Sequence, residues 1–281
     1  MTLECKRLIM IGDPSQLPAT IFSKVAEGLQ YDRSLFQRLQ SGGFKVTLLD
    51  EQYRMNRYVS KFISDSFYSA KLKDNAHIDD IIGNPPLYSN PKMGYLLFLH
   101  TDGNEEFENG SYQNMREIDL AMNVCEEIRQ STPSMDMGSL GIISPYSRQV
   151  HQMKDRLKSM PRDIGEHVEV NTVDGFQGRE KDVIVFSCVR SYASGDVEHK
   201  KSSIGFLDDA RRMNVSLSRA RLCLVVIGNV TKLYESKRWR KLIDYSFALG
   251  ALYDLSNWKS QTALPNKLES HKMDDLIKHL N

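Results

Sequence analysis

An α/β fold, doubly wound around a mainly parallel sheet, is what the sequence predicts, and three observations predict it. Short apolar runs recur along the 281 residues. Most of them are apolar without alternation, as strands are when both faces of a parallel sheet are covered. Longer helical patterns lie between the runs, and strand–helix alternation defines this class.

In chain order, the first strand pattern is LIMI at 8–11, which ends in Gly12-Asp13-Pro14. YLLFL at 95–99 is the second, and LGII at 140–143, stopped by Ser144-Pro145, is the third. Residues 168–173 alternate, and 183–188 and 222–227 are fully apolar but for a serine. Helices are expected over 115–130, 147–160, 208–220 and 236–248. The first of these sets Ile118, Met122, Cys125 and Ile128 on one stripe, with Glu117, Asp119, Glu126 and Glu127 elsewhere, so one side is buried and one is solvated. A weak helix is expected over 273–280, in a mixed polar tail. Doubly wound sheets bind ligands beyond the carboxyl ends of strands. The loops that begin at Gly12, Ser144, Thr172, Ser191 and Gly228 are therefore the places to search.

Apolar residues make up 41% and charged residues 26%, an ordinary globular balance. The net charge of +1 excludes a uniformly basic coat, but the charge is uneven. Residues 200–241 hold eleven Lys or Arg against three acids, and residues 101–127 hold eight acids against one Arg. One face that meets an anion and two differently solvated surfaces both fit this asymmetry. Cys5, Cys125, Cys188 and Cys223 have neither metal-knuckle nor redox-pair spacing, and the seven histidines are scattered. Cys5, Cys188 and Cys223, in or beside apolar runs, read as reduced structural thiols of an intracellular protein, and no side-chain metal site is expected. There is no signal peptide and no apolar run of about 18 residues, so no membrane span is expected.

Four strings stand out. GDPSQLP at 12–18 takes a strand into a turn that presents the carboxylate of Asp13 and the carboxamide of Gln16. Phosphoryl transfer to water needs an oriented water and little covalent chemistry, which a neutral Gln can serve; alone, the string is also a plain turn. In DEQYRM at 50–55, Tyr53 and Arg54 place a ring beside a cation, the pair that stacks a base and forks onto phosphate. A surface Arg beside a half-buried Tyr reads the same. NTVDGFQGREKD at 171–182 brings two glycines near a strand end, where backbone can approach a ligand closely. Glu180 could accept from a ribose, and Thr172 and nearby N–H groups could hold a nucleic-acid phosphate. RRMNVSLSRAR at 211–221 packs four arginines into eleven residues, which is costly unless anions or carboxylates are near. On a helix, Arg219 and Arg221 point to different faces.

In this order the four strings resemble the later motifs of superfamily 1 helicases, over roughly residues 6–255. Within that superfamily the chain looks like the branch that holds senataxin and the nonsense-mediated-decay helicase. SLF at 34–36, SFY at 66–68, KLKD at 71–74 and GFL at 205–207 lean to the senataxin side. The resemblance implies a RecA-like second lobe of the P-loop NTPase superfamily, driven by ATP with Mg2+. Gln16 would contact the γ-phosphate and the attacking water, with Asp13 beside it. Arg54 and Arg219 would be arginine fingers, Tyr53 would stack on adenine, and Glu180 next to Gly178 would meet the ribose. Thr172 and Val173, with the Ser144-Pro145-Tyr146 turn, would lie along single-stranded RNA or DNA. Two lobes that close and open around the nucleotide would move 5′→3′ along the strand.

The pattern is broken in one large way. No GxxxxGK[ST] occurs in the sequence, and no Asp-Glu pair ends a strand before Gly12. The resemblance places both upstream of Met1, in a first RecA-like lobe that would hold most of the ATP and the metal. The expected division is residues 1–43 as the end of that first lobe, 44–257 as the second lobe, and 258–281 as a tail. Residues 8–11 would then be an inner strand without its sheet, apolar and unpaired. Asn56-Arg57-Tyr58 also stands where the family has His-Pro. The isolated chain is expected to hydrolyse no ATP, and its partner is a first lobe in cis. A short product that binds nucleic acid or a partner helicase without catalysis is the alternative. The senataxin likeness points to the nucleus rather than the cytoplasm.

Overall fold

Six parallel strands make the centre of the molecule, and the chain reaches them in an order that leaves two busy sheet ends. The computed structural model describes residues 6–19, 21, 23–83, 86–90, 93–192, 204–258, 264 and 277–278. In chain order the elements are α1 (Lys24–Gly28), α2 (Leu35–Ser41), β1 (Glu51–Gln52), α3 (Arg57–Phe67), β2 (Lys73–Asp74), α4 (Ile78–Ile82) and β3 (Leu96–His100). A hairpin of β4 (Glu106–Glu108) and β5 (Ser111–Gln113) precedes α5 (Met115–Ser131). Then come β6 (Leu140–Ser144), α6 (Ser147–Leu157), α7 (Arg162–His167), β7 (Glu169–Thr172) and β8 (Lys181–Ser187). The last are α8 (Ala210–Leu217), β9 (Ala220–Gly228), α9 (Val230–Leu233), α10 (Lys237–Ala248) and β10 (Leu252–Asp254).

The sheet order is β10-β3-β9-β8-β6-β7, with every neighbour parallel. From β6 the chain steps outward to β7, and from β8 it steps the other way to β9, so the β6/β8 boundary is a switch point of the winding. One core contains Val59 and Ile63 of α3, Met213 and Leu217 of α8, and Trp239 and Ile243 of α10. The other contains Ile118 and Cys125 of α5, Met153 of α6 and Ile164 of α7. Strand residues alternate between the two: Ile184 and Phe186 of β8 face the first, Val183 and Val185 the second. This period of two inside an unbroken apolar run is what a doubly covered strand requires. The fold is therefore α/β, a mainly parallel sheet between helical layers.

Local chemistry sets the helix ends. Asn56, Asn114 and Asp209 cap α3, α5 and α8, each accepting from backbone N–H groups of the first turn. The helix expected over 208–220 is therefore shorter: Asp209 is its cap, and a turn at 218–219 leads straight into β9. Arg219 and Arg221 are separated by this turn and strand, not by helical spacing as the sequence reading had it. The helix expected over 147–160 likewise stops at Leu157. The pattern at 8–11 forms no strand; Leu8, Ile9 and Ile11 are 61%, 87% and 93% exposed. Among the described residues no strand lies beside it to complete a ladder. The strand β10 and the β4–β5 hairpin escaped the sequence reading because each is three residues long. Cys125, Cys188 and Cys223 are buried and free, while Cys5 lies outside the described residues. The tail helix expected over 273–280 also falls outside them, but for 277 and 278. Among the described residues no helix is long and apolar enough to cross a membrane.

Candidate nucleotide and single-strand sites

Arg54, Glu180 and Arg219 come from three distant stretches of sequence and meet at the amino ends of β8 and β9. Glu180 directly precedes β8, and Arg219 directly precedes β9. The expected ligand loops begin at the carboxyl ends of strands, whereas these three residues gather at the opposite end. Arg54 Nε donates to the Glu180 carboxylate, and its Nη1 lies 3.4 Å from Ser218 O. Arg219 is 2% exposed. Its guanidinium donates to Val215 O at 2.9 Å, Arg179 O at 3.3 Å and Ser218 Oγ at 2.9 Å. Among the described residues no carboxylate forms an ion pair with it. Burial first, and then the Arg54 cation, push its pKa down to about 10.

The GDPSQ turn is fixed to the same neighbourhood. Asp13 Oδ2 accepts from Gln16 Nε2 at 2.9 Å and from Tyr68 OH at 2.6 Å, while Oδ1 accepts from Ser15 N. Buried Asn214 of α8 donates through Nδ2 to Ser15 O and to Tyr68 OH, both at 2.9 Å. Burial and the Asp13 carboxylate push the Tyr68 phenol up to about 12. Tyr53 is 55% exposed and donates to Glu51 Oε2 at 2.9 Å. Gly178 is exposed with φ +81°, a conformation that a side chain would strain.

Asn56, passed over in the sequence as a small departure, anchors this end. The β8–β9 register slips by one residue between Lys181 and Val183, so β9 bulges at Arg221 and Leu222. Asn56 N donates to Arg221 O at 3.0 Å, and Asn56 Nδ2 to Leu222 O at 2.8 Å. Those carbonyls would otherwise lack ladder partners, so the bulge and the EQYRM loop hold each other. The legible signal was an Asn just before a helical pattern.

The single-strand candidates lie at the carboxyl end. Ser144 pairs with Thr172 in register. Thr172 Oγ1 accepts from Gly175 N at 3.2 Å. Pro145 and Thr172 are half-buried, and Ser144, Tyr146 and Val173 are buried. Tyr146 OH donates to Ile204 O at 3.2 Å. Arg190, just beyond β8, pairs in the interior with Glu105 at 2.7 Å and lies 4.2 Å from the centre of the Tyr112 ring. Beneath it, fully buried Glu117 of α5 accepts from Ser187 Oγ at 2.6 Å and Val189 N at 2.8 Å through Oε2. Among the described residues its Oε1 has no hydrogen-bond partner, and burial pushes its pKa up to about 8. Val189 sits at φ +70°, an unfavourable conformation for a β-branched residue. The Glu117 hydrogen bond holds it there.

Residues 31–231 match the AAA domain family. The chain is 38% identical over 271 residues to Helicase SEN1 of Saccharomyces cerevisiae, covering 92% of this chain and 12% of that protein. It is 35% identical to Probable helicase MAGATAMA 3 of Arabidopsis thaliana, covering 98% and 33%. It is 33% identical to Probable helicase senataxin of Homo sapiens, covering 88% and 9%. The chain thus spans between about a tenth and a third of the length of these relatives. By sequence and by fold, the chain belongs to the AAA domain family of superfamily 1 helicases, in the branch that holds SEN1, senataxin and NAM7.

Proposed function

We propose that the chain is the C-terminal motor lobe of an ATP-dependent 5′→3′ RNA or DNA helicase acting in the nucleus. In this reading residues 44–257 are the lobe, residues 1–43 are the end of a first lobe joined in cis, and 258–281 are a tail. Hydrolysis of ATP bound with Mg2+ would supply the driving energy. One observation carries the reading. Arg219 is a buried cation with only neutral hydrogen-bond partners among the described residues, next to a second cation. Such a group is relieved by an anion, and a phosphate oxygen is the anion its fork fits.

Arg219 and Arg54 would then hold the charge that develops on the γ-phosphate. Gln16, fixed by Asp13, would orient the attacking water. Tyr53 presents an exposed ring for the adenine, and Glu180, beside Gly178, a carboxylate for the ribose. Arg54 has to leave Glu180 to reach the phosphate. No group of three or more His, Cys, Asp or Glu among the described residues could hold a metal ion, and the proposal assigns Mg2+ and the phosphate-cradling loop to the first lobe. At the other end of the sheet, Pro145 and Thr172 would touch the single strand with their side chains. Buried Ser144, Tyr146 and Val173 would shape the track from below.

The test is ATP hydrolysis by the purified chain with excess single-stranded RNA, alone and with a first-lobe fragment of a related helicase. The expected result is turnover only with the added lobe, and its loss on Arg219→Ala. Turnover by the chain alone would overturn the division of labour. Strand binding with no turnover in either case would favour a non-enzymatic binding protein.

A further inference from the structure

Four rings follow one another across the carboxyl end of the sheet. Phe107 lies 4.8 Å from Tyr112, Tyr112 lies 5.5 Å from Tyr146, and Tyr146 lies 6.2 Å from Phe206, centre to centre. Of the inner two, Tyr146 is buried and Tyr112 is half-buried, and the ends are open: Phe107 is 64% and Phe206 is 54% exposed. The ends differ in what meets the ring. Phe107 stands between Glu106 and Glu108, the latter paired with Arg148. Phe206 has the guanidinium of Arg212 over its ring at 4.9 Å, and that guanidinium is itself held by Asp174 and Asp209.

Two loops converge on Phe206. Tyr146, at the end of the β6 loop, reaches it ring to ring. Asp174, two residues beyond Thr172, reaches it through Arg212. The ring is also fixed from behind. Gly205 has φ +61°, and a Cβ there would come within 3.1 Å of Arg190 Nη1 and 3.4 Å of Tyr146 Oη. Only glycine lets the turn sit this close and aim Phe206 outward.

Single scattered apolar side chains on a surface are ordinary. An anchored ring with a cation on it, placed between the ends of β6 and β7, is a different object. Sequence-tolerant single-strand sites combine such rings, on which bases stack, with cations that follow the backbone. We propose that Phe206 is the stacking platform for one base of the single strand, backed by Arg212. The proposal deepens the nucleic-acid reading of this end and rests on it.

The test is fluorescence anisotropy of the 281-residue chain with a labelled oligouridine and with an abasic strand of the same length. Phe206→Ala is expected to weaken oligouridine binding about tenfold and leave abasic binding unchanged, since stacking on a ring is lost and phosphate contacts are not. Phe206→Trp is expected to restore oligouridine binding. If Phe206→Ala binds oligouridine as the unaltered chain does, or if the unaltered chain binds both strands equally, the platform is overturned and the nucleic-acid reading stands. If the unaltered chain binds neither strand, the nucleic-acid reading falls with it.

Discussion

The two ends of the sheet handle buried charge in opposite ways. At the amino end, Arg219 is buried with neutral partners and has its pKa pushed down. At the carboxyl end, Arg190 is buried against Glu105; burial opposes its charge, yet Glu105 holds its pKa above the usual range. Glu117 beside it is kept protonated by burial. An unfinished charge marks where an outside anion is wanted, whereas finished charges make a scaffold that presents rings and backbone. One helix joins the two regimes. Asp209 and Arg212, at the start of α8, belong to the carboxyl end, and Asn214 and the Arg219 turn belong to the amino end. Eight residues of helix span about 12 Å, so a shift of α8 moves both ends together.

The largest expected effect tests whether the ends are separable. Arg219→Ala is expected to lower hydrolysis by the assembled two-lobe motor about 10³-fold or more, the scale of an arginine finger. Single-strand affinity should stay within about twofold, because the proposed strand site would rest on phosphate and base contacts at the far end. A parallel loss of strand binding would break the comparison.

Glu117→Gln comes next, and its signature is a pH slope. The carboxyl has a folded pKa of about 8 against 4.5 for the ordinary group. Between these values the folded chain holds a proton that the unfolded chain has released. Its contribution is therefore fully present below about pH 4.5 and is lost as pH rises through 8, at most about 5 kcal/mol in all. Melting at pH 5, 7 and 9 should show a fall for the native chain that the Gln variant largely lacks. Equal slopes would mean that Glu117 is charged in the folded state.

Asn56→Ala removes the cap of α3 and the side-chain bonds to Leu222 O and Tyr95 O, while the backbone bond from Asn56 N to Arg221 O remains and Leu222 O keeps the Tyr88 hydroxyl. The expected loss is about 1–3 kcal/mol, the sum of a cap and the lost buried hydrogen bonds, read by urea unfolding. A loss below about 1 kcal/mol would mean that the bulge holds its shape without the amide.

The sheet was legible because its strands are apolar on both faces, and five of the six runs read as strands are strands of that sheet. The run at 8–11 is as apolar, yet among the described residues no strand lies beside it and it forms none. Motif residues were legible as strings, but not their ends of the sheet. A parallel crossover carries the chain from the carboxyl end of β7 to the amino end of β8, so Thr172 and Glu180 in one string serve opposite ends. Asn56, Glu117, Asn214 and Tyr68 could not be singled out, since their roles depend on carbonyls and carboxylates far away in sequence.

The smallest expected effect is the sharpest test of the unfinished charge. Arg54 and Glu180 form a half-exposed pair, 34% and 44% open at the side chains, so removing the carboxylate should cost about 0–1 kcal/mol. Glu180→Gln leaves Arg54 free beside Arg219 and increases the unbalanced positive charge there. An anion that binds only the folded chain raises its melting point by an amount that grows with the logarithm of its concentration over its Kd. Inorganic pyrophosphate should therefore stabilise the Gln variant more than the native chain, by one to a few degrees, on the order of a half to two kcal/mol. The same addition should do little to Arg219→Ala. Equal shifts in all three proteins would mean that the anion binds elsewhere, and that the buried guanidinium is satisfied by its three neutral oxygens after all.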